Sequence, residues 1–202
     1  MAYDPEKHHR RSIRLKDHDY SQNGAYFVTL CSFGRECCFT QFPELAAIVD
    51  EEWRRIPERF PNAFIDDYVV MPNHFHGIIV IENGIGNQPD GGPKSGYPKS
   101  GYPQGVSLRR RVITDRVNLG NIIGAFKSLS VNAWLKVIKS RNINARGKFW
   151  QDNYYEHVIR NEKELNLIRT YISDNPMQWE SDRENPVNHS CTDMKQYKEW
   201  MV

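Results

Sequence analysis

Two histidines one residue apart, His74 and His76 in PNHFHG, and a tyrosine followed four residues later by an asparagine, Tyr171 and Asn175 in YISDNP, have types and spacings suited to chemistry. Alternate residues of a strand point to one face, so two imidazoles at this spacing stand side by side, about 6 to 7 Å apart along the chain. Two such side chains can share one metal ion, while Phe75 between them faces the opposite side. The spacing alone does not establish this, because seven histidines in 202 residues produce H-x-H by chance about 0.2 times per chain. Surface or hydrogen-bonded histidines are the competing reading. Position favours ligands: the pair opens an apolar strand just after Pro72-Asn73, where the backbone is both rigid and reachable. Two imidazoles leave room for a third protein ligand and for substrate oxygens, as in a catalytic rather than a structural site. Imidazole suits zinc, manganese, nickel and copper more than magnesium, which prefers oxygen.

In NEKELNLIRTYISDNP the apolar stripe is Leu165, Ile168 and Ile172, at helical spacings of three and four. Tyr171 lies about 100° around the helix from Ile172, at the border of that stripe and in line with Leu167 and Asn175. A border tyrosine with its hydroxyl toward water is a common structural arrangement. Asn175 also suits a helix end, because it tolerates left-handed backbone. Yet a metal close to the phenol would be within reach of the amide oxygen one turn on. Both readings stand at this point.

The elements that must position these groups are legible along the chain. AYFVTLC (25–31) is aromatic and β-branched and reads as a strand. From Phe42 to Phe60, Leu45, Ile48, Val49, Trp53 and Ile56 recur on one helical face, ended by Pro61. AFIDDYVVM and HFHGIIVIE flank the Pro-Asn turn as an antiparallel pair. Leu119 to Ile138 forms a long amphipathic helix with Lys127, Lys136 and Lys139 off its apolar stripe. KFWQDNYYEHVI (148–159) reads as a further strand, and Asn161 with Glu164 starts a last helix, closed by Pro176. This order predicts an α+β, ferredoxin-like split βαβ fold: an antiparallel sheet with helices packed on one face, leaving the other for ligands. Such folds serve unrelated functions, so function must come from the site.

At 202 residues and 39% hydrophobic composition, the chain fits one domain with decorations. We divide it into a basic N-terminal arm (1–19), a domain over 20–186 and a C-terminal tail (187–202). Residues 83–107, rich in Gly, Pro and Ser and repeating KSGYP, read as a flexible insertion. The net charge of +2, from 27 basic and 25 acidic residues, does not by itself demand a nucleic-acid partner. Local basic clusters do suit phosphate: Arg10 and Arg11 in the arm, and Lys127, Lys136, Lys139 and Arg141. Cys31, Cys37, Cys38 and Cys191 lack C-x-x-C spacing and read as reduced thiols. The charged start lacks the apolar core of a signal peptide, and no apolar run is long enough to cross a bilayer, so a cytoplasmic protein is expected.

Together, YFVTLCSFGRECCF, VVMPNHFHGIIVI, LGNIIGAFKSLSVNAW and FWQDNYYEHVIRNEKELNLIRTYISDNPMQW resemble, in order, the single-tyrosine HUH transposases of the insertion-sequence-200-like kind, in particular the REP-associated tyrosine transposases. The resemblance covers roughly residues 20 to 186. It implies a metal site at His74 and His76, with a divalent ion such as Mg2+ or Mn2+ and with Asn175 where relatives often carry Gln. It implies a helix-borne nucleophile at Tyr171, with Tyr154 and Tyr155 as rivals, and Lys127 near DNA phosphate, beside the basic candidates Lys136, Arg10 and Arg11. The activity implied is cleavage and rejoining of hairpin-flanked single-stranded DNA through a 5′-phosphotyrosine, by a monomer or by a homodimer exchanging the tyrosine helix. Two alternatives remain: a non-catalytic nucleic-acid-binding module of RNA-recognition-like architecture, and a metal hydrolase using H-x-H with Asp66 and Asp67.

Overall fold

The computed structural model of the chain describes residues 15, 18–83, 116–182 and 184–188. Arg10 and Arg11, Cys191, all but the first residue of the expected insertion, and the tail beyond residue 188 lie outside these.

In chain order the elements are β1 (Gly24–Cys31), α1 (Cys38–Gln41), α2 (Pro43–Arg54), α3 (Ile56–Arg59), β2 (Ala63–Val70), β3 (His74–Ile81), α4 (Leu119–Arg141), β4 (Tyr155–Ile159) and α5 (Glu162–Asp174). The four strands pair antiparallel in the order β2-β3-β1-β4, the split βαβ arrangement expected from the element order. Alternation along the strands sorts their side chains to two faces. Tyr26, Val28 and Leu30 of β1 and Phe75 and Ile79 of β3 pack with Leu45, Val49 and Trp53 of α2 and with Ile122, Phe126 and Trp134 of α4. Ala25 and Ile78 face the other way, against Leu165, Ile168 and Ile172 of α5. The expectation of helices on one face is therefore corrected: the sheet is covered on both. The stripe of α5 is apolar enough to require burial, and the second sheet face is the surface within its reach. α5 packs chiefly on β2, so it covers part of the face that an RNA-recognition-like module uses.

Local chemistry explains three further departures. The helix expected from Phe42 to Phe60 breaks at Arg55 into α2 and α3, because Pro57 has no N–H to donate and its ring would strike the carbonyl four residues back. The strand expected over 148–159 forms only from Tyr155, with Trp150 making an isolated bridge to Ser32. Adjacent Phe149 and Trp150 are both buried in the helix-side core, which alternating strand geometry forbids, and the Trp150 indole N–H donates to Ser130 Oγ at 2.9 Å. Pro176 does not end the helical path, since Asn175 stays right-handed (φ −54°, ψ −43°) and Asn175–Ser181 continues as a 3₁₀ helix. The α5 start is as expected, with Asn161 Oδ1 accepting from Glu164 N at 2.9 Å.

Gly77 is required by packing, since a Cβ there would lie 2.5 Å from Trp53 Cζ2. Asn83, the first residue of the expected insertion and the only one of it that is described, ties its two flanks together. Its Nδ2 donates to Ser21 O (2.7 Å) and Val117 O (2.8 Å), and its Oδ1 accepts from Val117 N (3.1 Å). Asn83→Ala leaves these partly buried groups without partners and is expected to lower stability by about 2–3 kcal/mol. Urea unfolding reads this, and a midpoint equal to wild type would contradict it.

Candidate functional site

The site lies on the α5 face of the sheet, where β3 begins. His74 and His76 both point there, with ring centroids 4.6 Å apart. His74 is fully buried, and its Nδ1 contacts Asn73 Oδ1 at 2.8 Å. Asn73 Nδ2 donates to Arg35 O (3.1 Å) and Glu184 O (2.7 Å). The amide is thereby oriented with its oxygen toward His74, so Nδ1 carries the proton and Nε2 the lone pair. That Nε2 is buried with no hydrogen-bond partner. His76 is held the same way from across the sheet: Thr29, its register partner on β1, puts Oγ1 2.8 Å from His76 Nδ1, and the Phe27 ring stacks on the imidazole. Burial holds both imidazoles below the usual histidine range, His74 to about 4 and His76 well down, with Arg35 adding to the effect on His74. Both are neutral at pH 7, the form that binds metal.

From above, α5 brings the Tyr171 hydroxyl to 3.3 Å from His76 Nε2, with the two rings edge to face. The tyrosine is 47% exposed, so the ring edge meets solvent while the hydroxyl end is desolvated. That desolvation raises its pKa, Asn175 hydrogen bonding opposes the rise and Asp182 adds to it, so the phenol is protonated at neutral pH. One turn on, Asn175 is buried, and its Oδ1 has no hydrogen-bond partner. Because its backbone is right-handed, tolerance of left-handed geometry does not account for an asparagine here.

The other candidates fall in different places. Tyr154 is buried in the helix-side core. Tyr155 pairs with Thr29 and so stands in the row of His76, two strand spacings away, about 10 Å. Lys127 donates to Gln151 O and, at 2.9 Å, to Asp152 O, and burial lowers its pKa to about 8. It lines an open cavity of about 470 Å³ with Gly124, Ser128 and Lys148. Gln151 N in turn donates to Cys31 O, and Cys31 is the register partner of His74, so this cavity adjoins the site through the backbone. Lys136 is exposed on α4. Asp66 pairs with Arg169 of α5, which occupies one of the two carboxylates, Asp66 and Asp67, that the hydrolase reading would use.

Sequence reading missed Asn73, Thr29 and Asp182. Asn73 passed for a turn residue, Thr29 for an ordinary strand residue, and Asp182, whose Oδ2 stands 4.0 Å from His74 Nε2, carries no local signal at all. Among the described residues no three His, Cys, Asp or Glu side chains form a ready-made metal cluster, and no helix is long and apolar enough to cross a membrane. Cys31, Cys37 and Cys38 are free thiols.

No family model matches the chain. A protein of Haemophilus influenzae (strain Rd), described only as an uncharacterized protein, is 38% identical over 188 residues, covering 90% of this chain and 96% of that one. Among solved structures, a REP-associated tyrosine transposase bound to a REP hairpin superposes with a TM-score of 0.50 at 17% identity, over 82% of this chain and 73% of that one. A chain from Deinococcus radiodurans R1 described as a candidate transposase, 15% identical over 80% of this chain and 97% of that one, gives a TM-score of 0.42, too low to establish a shared fold. The chain therefore belongs to one family with the Haemophilus influenzae protein, and its fold is that of a REP-associated tyrosine transposase.

Proposed function

We propose that this protein is a transposase that cleaves and rejoins hairpin-flanked single-stranded DNA, with Tyr171 as nucleophile. The observation that carries this reading is the Tyr171 hydroxyl 3.3 Å from His76 Nε2, beside two buried acceptors, His74 Nε2 and Asn175 Oδ1, that lack hydrogen-bond partners. Orphaned buried acceptors are costly unless a cation or donor meets them, so these residues fit a divalent ion. Bound by His74, His76 and Asn175, Mg2+ or Mn2+ would act as a Lewis acid toward a phosphate oxygen.

Tyr171 Oη attacks the scissile phosphorus in line. The new bond joins phosphorus to the phenolic oxygen, the bond to the 3′-oxygen breaks, and a 5′-phosphotyrosine and a free 3′-hydroxyl result. The phenolic proton leaves to water along the exposed ring edge, and the departing 3′-oxygen takes one up. Attack on the phosphotyrosine by a 3′-hydroxyl reverses the step and rejoins strands. Asn73 and Thr29 hold the two imidazoles with Nε2 inward, as outer partners of metal ligands do. Lys127 and Lys148 beside the open cavity, with Lys136 and the arm residues Arg10 and Arg11, supply cations for the DNA backbone.

The test is incubation with labelled single-stranded hairpin DNA and Mn2+, followed by a denaturing gel and peptide mapping of the adduct. A protein-linked 5′ end at Tyr171 is expected. Free ends without an adduct would indicate the hydrolase reading, and binding without cleavage a non-catalytic module.

A further inference from the structure

Acceptors face one another at the start of β3 with no donor between them among the described residues. His74 Nε2 is a lone pair, because Asn73 takes the Nδ1 proton at 2.8 Å. Opposite it, at 4.0 Å, stands Asp182 Oδ2. The other carboxylate oxygen, Oδ1, accepts from Glu184 N at 2.7 Å, which fixes which oxygen turns toward the imidazole. Arg35, the described cation whose charge reaches Asp182, is ion-paired to Glu184. A lone pair facing a half-buried carboxylate is unfavourable until a cation lies between them.

We infer that Asp182 is a further, carboxylate ligand of the divalent ion proposed above, delivered by the segment that follows the nucleophile helix. The inference rests on the metal reading and extends it to a residue outside the H-x-H and Tyr-Asn motifs. The geometry allows it: donors each about 2.1 Å from one ion are at most about 4.2 Å apart, and about 3 Å apart when adjacent in an octahedron. The 4.0 Å gap is thus within reach of one ion, and a shift of Asp182 by about 1 Å brings it to ordinary spacing. The carboxylate also supplies the hard, charged oxygen that two imidazoles and an amide lack, which favours Mn2+ and Mg2+ over softer ions.

The experiment is calorimetric titration of the metal-free full chain with Mn2+, without DNA, for wild type and Asp182→Asn, with thermal melts in EDTA and in Mn2+. Wild type is expected to bind one Mn2+, and Asp182→Asn to bind it at least about tenfold more weakly. Should Asp182→Asn melt lower in EDTA, its own Mn2+-induced rise in Tm replaces the titration as the readout, and a smaller rise than wild type is expected. Equal Mn2+ affinity, or an equal rise, would overturn the role of Asp182 while leaving His74 and His76 in place. Wild type that takes up no Mn2+ would overturn the metal reading and this inference with it, whereas the Tyr171 adduct is read separately on the gel.

Discussion

Tyr171→Phe is expected to form no covalent adduct with single-stranded hairpin DNA, a loss of about 10⁴-fold or more, the scale on which removal of a catalytic nucleophile is felt. The substitution deletes one oxygen. The ring still meets Phe27 and His76 edge to face, and Ile172 and Leu165 still anchor α5, so the fold and the melting temperature are expected to change little. Strand binding at wild-type affinity with no cleavage separates this outcome from general damage. An adduct that persists undiminished would move the nucleophile elsewhere. Tyr155 is then the first candidate, because it shares the row of Thr29 and His76, whereas Tyr154 is enclosed in the core.

His74→Ala and His76→Ala are each expected to lower metal-dependent cleavage by about 10³-fold, since Lewis-acid stabilisation is worth several kcal/mol and each 1.36 kcal/mol is tenfold in rate. Full activity in either variant would remove that histidine from the site. The same residues give a pH signature to the metal-free protein. The folded chain holds His74 neutral down to about 4, while the unfolded chain protonates it near 6.5. Between those values the unfolded state binds the extra proton, so stability present above about 6.5 falls as pH falls and reaches its full loss near 4. For His74 the loss is at most about 3 kcal/mol. Urea midpoints in EDTA at pH 7 and pH 5 measure it, and His74→Ala should reduce the difference, with buried His76 contributing the remainder. A midpoint that does not fall toward pH 5 in the wild type would contradict the burial argument.

What the amino-acid sequence determined by itself was periodic or contiguous. A repeat of two placed His74 and His76 on one strand face; a repeat of three and four placed Leu165, Ile168 and Ile172 on one helix face and Tyr171 at its border. The order of elements led to the split βαβ sheet because each element advertised its type locally. Reading failed where tertiary packing overrode local preference. Phe149 and Trp150 look like strand residues but both turn into the core, and Asn175 precedes a proline yet stays helical. It failed also where the proposed site depends on residues distant in sequence. Nothing near Thr29 says that it will face His76, because β1 and β3 are brought together by sheet register across 47 positions. Nothing near Asp182 says that it will face His74, because that approach depends on the path of the chain after α5. Periodicity fixes which way a side chain points relative to its own element, and only the packing of elements against one another decides what it meets there. The histidine pair and the tyrosine were therefore legible as candidates, whereas the orphaned acceptors on which the proposed metal site rests appeared only when α5, β1 and the segment after α5 closed around them.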